Sequence, residues 1–576
     1  MGIRKNQMDI LKPVYTEQND CQDCYKCIRE CTLKAIKVVN NSAQILHNDC
    51  IYCGTCTQIC PVGAKKVRDD LKRVKKMINR SENVIVSLAP SFVTEFPNLS
   101  DEQMIATLKE LGFHAISETA LGAQEVSRRV TKYVESNEKG VYISSACPSV
   151  VEMICKHYPD FKSNITPILS PLLTHAKYLK EEYANAKVVF VGPCIAKKSE
   201  SDEFPDLVDA SLTFTDLKNW LEEENLDPYL FPEDKEIDQF IPGKAGKGIL
   251  YPIDGGMIMG MKKNATATDA VYMTFSGINN IQAVLSDLNK YRKTNKLFLE
   301  LLACDGGCVN GPGTQKTYST AIKRLEVINK VDDERTCILN TEFSIERNFD
   351  SILPIPKYEH SENSIKEALT MIGKYSEKDE INCGGCGYNS CREFAEAYLE
   401  DRSEPNMCVS YMRKIAQDKS SALLRKIPSG VVIVNDELKV IEANQSFAGF
   451  LGEDVEEVYD TIPGLVDADL KKILPFHKLF ASALSTGVDN LERDIKHGNK
   501  MLHISIFTIH KHKIVGAIVR DMSQPYIQRE EVVARARTVN RKNLETVQKI
   551  AYLLGENASE TEEMLNSIVE FYTPEG

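Results

Sequence analysis

The sequence predicts a multidomain chain of mixed α/β and α+β architecture, and three observations predict it. Its 576 residues exceed what one core can hold, since single hydrophobic cores stop growing near about 250–300 residues. Its 18 cysteines crowd into two short stretches, with a scattered set between them, and cease after Cys408. The segments between the two stretches contain short apolar runs of parallel-sheet character, whereas beyond residue 416 apolar residues alternate as in an antiparallel sheet. Taken in order, these give a cysteine-rich domain at 1–80, an α/β domain at 81–375, a second cysteine-rich module at 376–415, an α+β domain at 416–525 and a terminal helix at 526–576.

Composition narrows the class. A content of 43% hydrophobic and 26% charged residues is ordinary for a globular protein. No apolar run reaches the roughly 18 residues of a membrane span, and MGIRKNQMDI lacks the apolar region of a secretory signal. A cytoplasmic protein with no membrane span is expected. The net charge of -12 argues against a nucleic-acid partner. KKVRDDLKRVKKMINR, at 65–80, is a local basic exception; its interleaved Asp69 and Asp70 and its helical spacing predict a solvated helix face.

The first domain holds two runs of the form C-x2-C-x2-C-x3-C: Cys21, Cys24, Cys27, Cys31 and Cys50, Cys53, Cys56, Cys60. Thiolates two residues apart on a tight turn reach three corners of one 4Fe-4S cubane, and the fourth cysteine of each run serves the other cluster. Cys21, Cys24 and Cys27 therefore pair with Cys60, and Cys50, Cys53 and Cys56 with Cys31. Zinc knuckles are the alternative, although zinc usually takes two separated pairs. Residues 10–70 resemble a bacterial two-cluster ferredoxin, departing only at Thr32, where the first run lacks its usual proline.

The module at 376–415 carries Cys383, Cys386 and Cys391 in CGGCGYNSC, and Cys408 in NMC. REFAEAYLEDRSEPNM between them reads as a helix with a polar turn that returns Cys408 to the loop. An iron–sulfur cluster is favoured over zinc, and the module is similar to the small single-cluster 4Fe-4S domain of several redox proteins.

In the α/β domain, VYISSAC, KVVFVGPC and KLFLELLAC each read as a buried strand ending at a cysteine. Ligand sites in open parallel sheets form beyond the carboxyl ends of strands. Cys147, Cys194 and Cys304, with Cys308 four residues further in CDGGC, are candidates for one buried cluster; ordinary core cysteines are the alternative, and the pattern does not choose between them. The motifs SSACPS, VGPCIAKKSE and ELLACDGGCVNGPG, with SLAPSF before them and YPIDGG between, resemble the active-site motifs of the FeFe hydrogenases over residues 81–375. The resemblance implies that Cys147, Cys194, Cys304 and Cys308 hold a 4Fe-4S cluster, the fourth of the chain, and that Cys308 also bridges to a two-iron centre bearing CO, cyanide and a bridging dithiolate. It implies that Lys197 holds one cyanide and that Pro90 and Ser91 lie near the other. Cys155 is expected in the core; Cys337 has no further reading.

The same motifs depart from those of fast family members. The residue before the first ligand, there a proton-carrying cysteine, is Ala146. Glu200 matches one relay carboxylate and is kept. Methionines that pack round the centre are replaced by Gly192 and Leu302, and SPLL at 170–173 lacks the usual glutamines. Loss of a positioned acid typically lowers a rate by about 10²–10⁴. A water partnered by Ser144 or Ser145 is the available substitute for the missing thiol.

From residue 416, SALLRKIPSGVVIVNDELKVIEANQSFAGFLGE reads as helix, strand, turn at Asn435-Asp436, strand and helix, and MLHISIFTI and KIVGAIVRDM supply two more strands. This resembles a PAS domain, with a generic α+β fold as the alternative. In the terminal helix Leu544, Val547, Ala551, Leu554, Ala558, Leu565 and Ile568 follow steps of three and four, broken at Thr561, which suits a coiled-coil homodimer; packing on the chain's own α+β domain is the alternative. The leading expectation is a sensory FeFe hydrogenase of an anaerobe. It would take up or release hydrogen and protons slowly, exchange electrons with a redox protein such as ferredoxin, depend on hydrogenase maturation proteins and signal to a downstream protein. A metabolic ferredoxin-linked hydrogenase and a non-enzymatic, hydrogenase-like iron–sulfur assembly factor are the alternatives.

Overall fold

The computed structural model describes residues 11–549 apart from 41, 81, 235, 237, 265–269, 289, 291–294, 316–317, 332–336, 340–341, 357, 524–532 and 534. The chain divides into two compact units, Met1–Met412 and Arg413–Gly576.

Four short strands open the first unit: β1 (Val14–Thr16), β2 (Ile36–Val39), β3 (Ser42–Ile45) and β4 (Lys65–Val67). They form two antiparallel ribbons, β1 with β4 and β2 with β3. The two cysteine runs fold alike. In each, the residues flanking the second cysteine have positive φ, Asp23 and Tyr25 in the first (50° and 56°) and Tyr52 and Gly54 in the second (53° and 79°). A five-residue helix follows each, Lys26–Glu30 and Thr55–Ile59. Left-handed residues in such turns draw neighbouring cysteines to one side of the loop. Gly54 is obligatory on a second count, because a Cβ there would stand 2.4 Å from Pro312 Cβ.

The basic stretch at 65–80 is not a single solvated helix face. Only Leu71–Asn79 is helical, and Lys65–Val67 is strand β4. Arg68 and Asp70 are buried. Arg68 grips Asp70 and Asp202 with its guanidinium, and Lys198 Nζ reaches Asp70 at 3.2 Å and Asp216 at 3.0 Å. Arg68 and Asp70 are thus satisfied inside the protein, while Asp69 is exposed and the exposed Lys72, Arg73 and Lys76 give the helix the solvated face expected of it.

Seven strands follow: β5 (Val84–Leu88), β6 (Ala115–Glu118), β7 (Gly140–Ile143), β8 (Lys187–Gly192), β9 (Ala210–Thr213), β10 (Ala270–Ser276) and β11 (Lys296–Leu302). They make two parallel sheets, one ordered β6-β5-β8-β9 and the other β10-β11-β7. Every residue of β5 and β11 is buried, as continuous apolar strands in two-sided sheets should be. The cysteine-bearing strand ends thus belong to two sheets, β8 to the first and β7 and β11 to the second. The second cysteine module packs helices Glu362–Met371 and Cys391–Leu399 into one core with Ile28, Ile36 and Val38 of the N-terminal ribbons.

The second unit is an antiparallel sheet of β12 (Gly430–Asn435), β13 (Val440–Ala443), β14 (Asn490–His497), β15 (Lys500–His510) and β16 (Ile514–Asp521), ordered β13-β12-β16-β15-β14. Its core includes Val432, Phe447, Phe480, Ile504 and Ile506. At the expected turn the Asn435 side chain accepts the N–H groups of Glu437 and Lys439. Strand β14 was not anticipated. Its NLERDIKH is polar because most of its residues are exposed. Helix Val409–Lys426 crosses the boundary between the units. Of the terminal apolar seam, Leu544 and Val547 are exposed; Ala551, Leu554, Ala558, Thr561, Leu565 and Ile568 lie outside the described residues.

Candidate active site

The three cysteine motifs meet at one cavity of about 110 Å³, lined by Cys147, Cys194, Cys304 and Cys308. Local structure places each. Cys147 precedes helix Pro148–His157, with Pro148 at its first position. Cys194 lies two residues past β8, and the helix Ala196–Glu203 that follows sets Lys197 and Glu200 one turn apart on one face. Cys304 lies two residues past β11.

The motifs also lock onto one another. A Cβ on Gly307 would stand 2.3 Å from Pro252 O, whose carbonyl accepts Val309 N–H at 3.2 Å, so YPIDGG and CDGGC lie backbone to backbone. Gly313 N–H donates to Pro193 O at 2.8 Å, and a Cβ on Gly311 would stand 2.6 Å from that oxygen. Asp254 Oδ2 accepts from Ser276 Oγ (3.2 Å), which accepts Gly306 N–H (3.1 Å).

Pro90, Ser91, Ala146 and Lys197 line the same cavity. Ser91 Oγ is buried and has no hydrogen-bond partner in the protein. Burial pushes all four thiols up; mutual repulsion adds to this at Cys194, which rises to about 11, and at Cys304 and Cys308. Four thiols facing one dry space are therefore disfavoured as thiolates unless positive charge lies among them. Among the described residues no three His, Cys, Asp or Glu side chains converge as a single metal ion requires. Sulfurs around a void, an unpartnered hydroxyl and a lysine at the wall together fit an iron–sulfur group with further polar ligands.

Lys197 Nζ donates to Glu200 Oε2 at 2.5 Å and to Ser170 Oγ at 3.0 Å. Ser170 donates in turn to the same carboxylate oxygen, and Arg347 approaches the other at 3.4 Å. Arg347, unnoticed in the sequence, is buried between the rings of Phe204 and Phe349, 4.9 and 5.1 Å from their centroids. Nothing in SIERNF marks it, since its carboxylate partners, Glu200 and Glu203, are more than a hundred residues away.

Ser144 and Ser145 do not offer free hydroxyl protons to a water beside Ala146. Ser144 Oγ donates to Met257 Sδ at 3.1 Å and accepts Ala146 N–H at 3.2 Å, while Ser145 Oγ donates to Ile168 O at 2.6 Å. The absence of a side chain at Gly192 is also accounted for. A Cβ there would meet Phe190 Cζ at 2.3 Å and Ala89 Cβ at 2.8 Å; Phe190 and Leu302 line the cavity instead.

Three further groups of cysteines lie elsewhere in the first unit. The thiols bearing on Cys27 are Cys21, Cys24 and Cys60, and burial first, then those neighbours, raise it to about 11. At Cys60 the backbone N–H groups of residues 62–65 outweigh burial and lower the thiol. Cys31, Cys50, Cys53 and Cys56 line a larger cavity of about 860 Å³. Cys53 and Cys304 border both cavities. Cys383, Cys386, Cys391 and Cys408 line a small pocket of their own. Cys155 is fully buried in the core of the second sheet, and Cys337 is half-buried at Gly243.

Residues 82–312 match the family model described as "Iron only hydrogenase large subunit, C-terminal domain", residues 43–66 a "4Fe-4S binding domain", and residues 379–410 a "Putative Fe-S cluster" family. Iron hydrogenase 1 of Clostridium pasteurianum is 27% identical over 387 residues, which are 55% of this chain and 67% of that one. The periplasmic Fe hydrogenase large subunit of Nitratidesulfovibrio vulgaris is 24% identical over 304 residues, 44% of this chain and 71% of the relative. Nuclear prelamin A recognition factor of Xenopus laevis is 24% identical over 337 residues, 46% and 73% of the two chains. The chain thus carries an FeFe-hydrogenase-like large-subunit domain with ferredoxin-type iron–sulfur motifs. Among the described residues no helix is long and apolar enough to cross a membrane.

Proposed function

We propose that the chain is a slow, sensory FeFe hydrogenase. The observation that carries the hydrogenase reading is the convergence of Cys147, Cys194, Cys304 and Cys308 on one cavity, walled by Lys197 and the unpartnered Ser91 hydroxyl, within the region matched by the hydrogenase model. Those four cysteines would hold a 4Fe-4S cluster, with Cys308 also bridging to a two-iron centre carrying CO, cyanide and a dithiolate. When bound, this group supplies the interconversion of hydrogen with two protons and two electrons.

The chain's own residues hold and shield it. Lys197, Pro90 and Ser91 line the space, Ser91 with its unpartnered hydroxyl, and Phe190, Leu302 and Leu172 keep most of it apolar. Proton delivery is where the chain is poor. Ala146 carries no proton, and both adjacent serines spend their protons on internal acceptors. Glu200 is held by Lys197, Ser170 and Arg347 and is ill placed to relay. These residues support sensing over bulk turnover. Cys21, Cys24, Cys27 with Cys60, Cys50, Cys53, Cys56 with Cys31, and Cys383, Cys386, Cys391 with Cys408 would hold three further 4Fe-4S clusters that move electrons to and from the cavity.

The sheet order and intervening helices of the second unit support a PAS domain, through which redox state reaches a downstream partner in the cytoplasm, with the terminal helix joining two copies. Ferredoxin-like proteins would exchange electrons with the clusters, and maturation proteins would insert the two-iron centre. The likeness to nuclear prelamin A recognition factor raises a non-enzymatic reading, against which Lys197 and Ser91 at the cavity wall count. Infrared spectroscopy of the matured protein tests the matter. CO and cyanide bands with low hydrogen turnover are expected; no such bands would leave the non-enzymatic reading, and turnover equal to a fast hydrogenase would remove the sensory one.

A further inference from the structure

The second cysteine module does not stand apart from the ferredoxin-like one. Gly387, with φ +96°, lies against the short helix that ends at Cys31: a Cβ on it would stand 3.0 Å from Ile28 Cγ2 and 3.2 Å from Arg29 N. Only glycine permits both that conformation and that approach. Beside it Tyr388 is buried, edge-on to Phe394 at 5.6 Å and with Lys34 Nζ 5.9 Å from its ring centroid. Its hydroxyl has no partner, and Cys21, Cys31, Cys56, Cys386 and Cys391 pack against the core to which it belongs. Arg402 forms an ion pair with Asp49, the residue before Cys50. Around these contacts runs one apolar core, from Ile28, Ile36 and Val38 to Leu369, Phe394 and Met407.

The contact therefore falls on Ile28 and Arg29, between Cys27 of the first set and Cys31, and on Asp49 beside Cys50; Cys31 and Cys50 line the same cavity as Cys53, and Cys53 borders the central site. Exposure differs among the sets in the same sense. Cys24 in the first and Cys383 in the module are exposed, whereas no member of the Cys31, Cys50, Cys53 and Cys56 set is. We propose that the Cys383–Cys408 cluster is a second surface terminus of the electron chain, joined through Tyr388 and Gly387 to the Cys31–Cys50–Cys53–Cys56 cluster, which acts as the junction to the central cavity. Each transfer is a single-electron exchange in which one cluster is oxidised as its neighbour is reduced, with no proton or bond change. The inference rests on the proposed cluster assignments and gives the chain two redox ports, one at Cys24 and one at Cys383. The latter's set ends at Cys408, directly before helix Val409–Lys426.

Electron paramagnetic resonance of the full chain, reconstituted with iron and sulfide alone and reduced with dithionite, tests the wiring. Neighbouring reduced clusters broaden one another and shorten one another's spin relaxation. The wild-type spectrum should be broadened, and the double variant Cys383→Ala/Cys386→Ala should leave sharper signals from the remaining clusters. Gly387→Val, which keeps every cysteine but wedges the loop from Ile28, should weaken the interaction at unchanged iron content. A wild-type spectrum equal to that of the double variant plus one narrow, slowly relaxing signal would overturn the proposal. Should the double variant not fold, relaxation in the wild type decides alone: slow, independent relaxation of one cluster overturns it, and fast relaxation of all supports it. No two-iron centre is present in this experiment, so failure of the hydrogenase reading appears separately, as missing CO and cyanide bands after maturation.

Discussion

Lys197 and Glu200, one helical turn apart, close an ion pair of 2.5 Å at the wall of the central cavity, and Arg347 holds the far oxygen of the same carboxylate. Both oxygens of this carboxylate are engaged by internal partners, Lys197 and Ser170 on one and Arg347 on the other, which leaves neither turned to a proton acceptor in the cavity. Glu200→Gln should therefore lower hydrogen turnover by less than about 10-fold, below the usual range for a positioned acid or base. Because the change frees Lys197, the infrared cyanide bands should shift. A loss of about 10² or more would return Glu200 to the proton path.

Four complete cysteine sets predict four 4Fe-4S clusters, hence about sixteen irons per chain before maturation. The module at Cys383 is the discriminating one, because its glycine-rich spacing is looser than the ferredoxin-type runs. Metal analysis of the anaerobically reconstituted chain should give iron near that value without zinc. About twelve irons with one zinc, the zinc lost in Cys383→Ala, would mean a different metal there.

His175 is fully buried, bridging Ser87 Oγ through Nδ1 and Ser117 Oγ through Nε2, each at 2.8 Å. Burial lowers it to about 3. As pH falls through about 6.5 the unfolded chain takes up this proton and the folded chain does not, so stability is lost progressively down to about 3. Glu118 and Glu300 act oppositely. Burial raises each to about 7, so from about 4.5 upward the unfolded chain releases a proton that the fold retains, and stability falls until about 7. His175→Gln should flatten the acid side and Glu118→Gln the neutral side of the stability profile. Unfolding followed by the fluorescence of Trp220, the chain's one tryptophan, measures both. Unaltered slopes would show that these groups titrate alike in both states.

Periodic and cysteine-bearing segments were legible in the sequence because their signals are local. The strands ending at Ile143, Gly192 and Leu302 were readable from their apolar runs, whereas the role of the cysteines that follow them rested on the resemblance of the motifs and not on their spacing. Long-range features were not legible. Arg347 reaches Glu200 across 147 positions, the network of Arg68, Asp70 and Lys198 resembles a surface charge run, and β14 hides its strand character behind exposed charges. The docking of Gly387 on Ile28 is likewise invisible, since a glycine in CGGCG is explained well enough by its own loop.

Phe190 occupies the space over Gly192, which makes the small residue there a packing requirement. Gly192→Met alone should overpack the cavity wall and cost about 1–3 kcal/mol, seen as a lower Tm and reduced iron in the central site. Adding Phe190→Ala should restore both by returning the volume. If Gly192→Met is tolerated with full iron content, Phe190 is free to turn aside and does not shape the cavity.

Ala146 gives the sharpest prediction. Its methyl faces the cavity while its N–H is tied to Ser144 Oγ, so the backbone that would present a longer side chain is already anchored. Ala146→Cys therefore adds a thiol at a fixed point of the wall, next to the space where a proton must arrive. Both neighbouring serines direct their hydroxyl hydrogen bonds to Met257 Sδ and Ile168 O, so neither competes for that role. Turnover should rise by about 10-fold or more, with the full 10²–10⁴ of a positioned acid withheld because Glu200 remains clamped by Lys197 and Arg347. Combining the change with Glu200→Gln should then cost little of the gain, a further sign that protons come by another route. The comparison is made on matured protein with matched infrared intensities, so that occupancy does not pass for rate. An unchanged rate at equal occupancy would place the limit in the electronics of the cluster and its wall, Gly192, Phe190 and Leu302, and not in proton delivery.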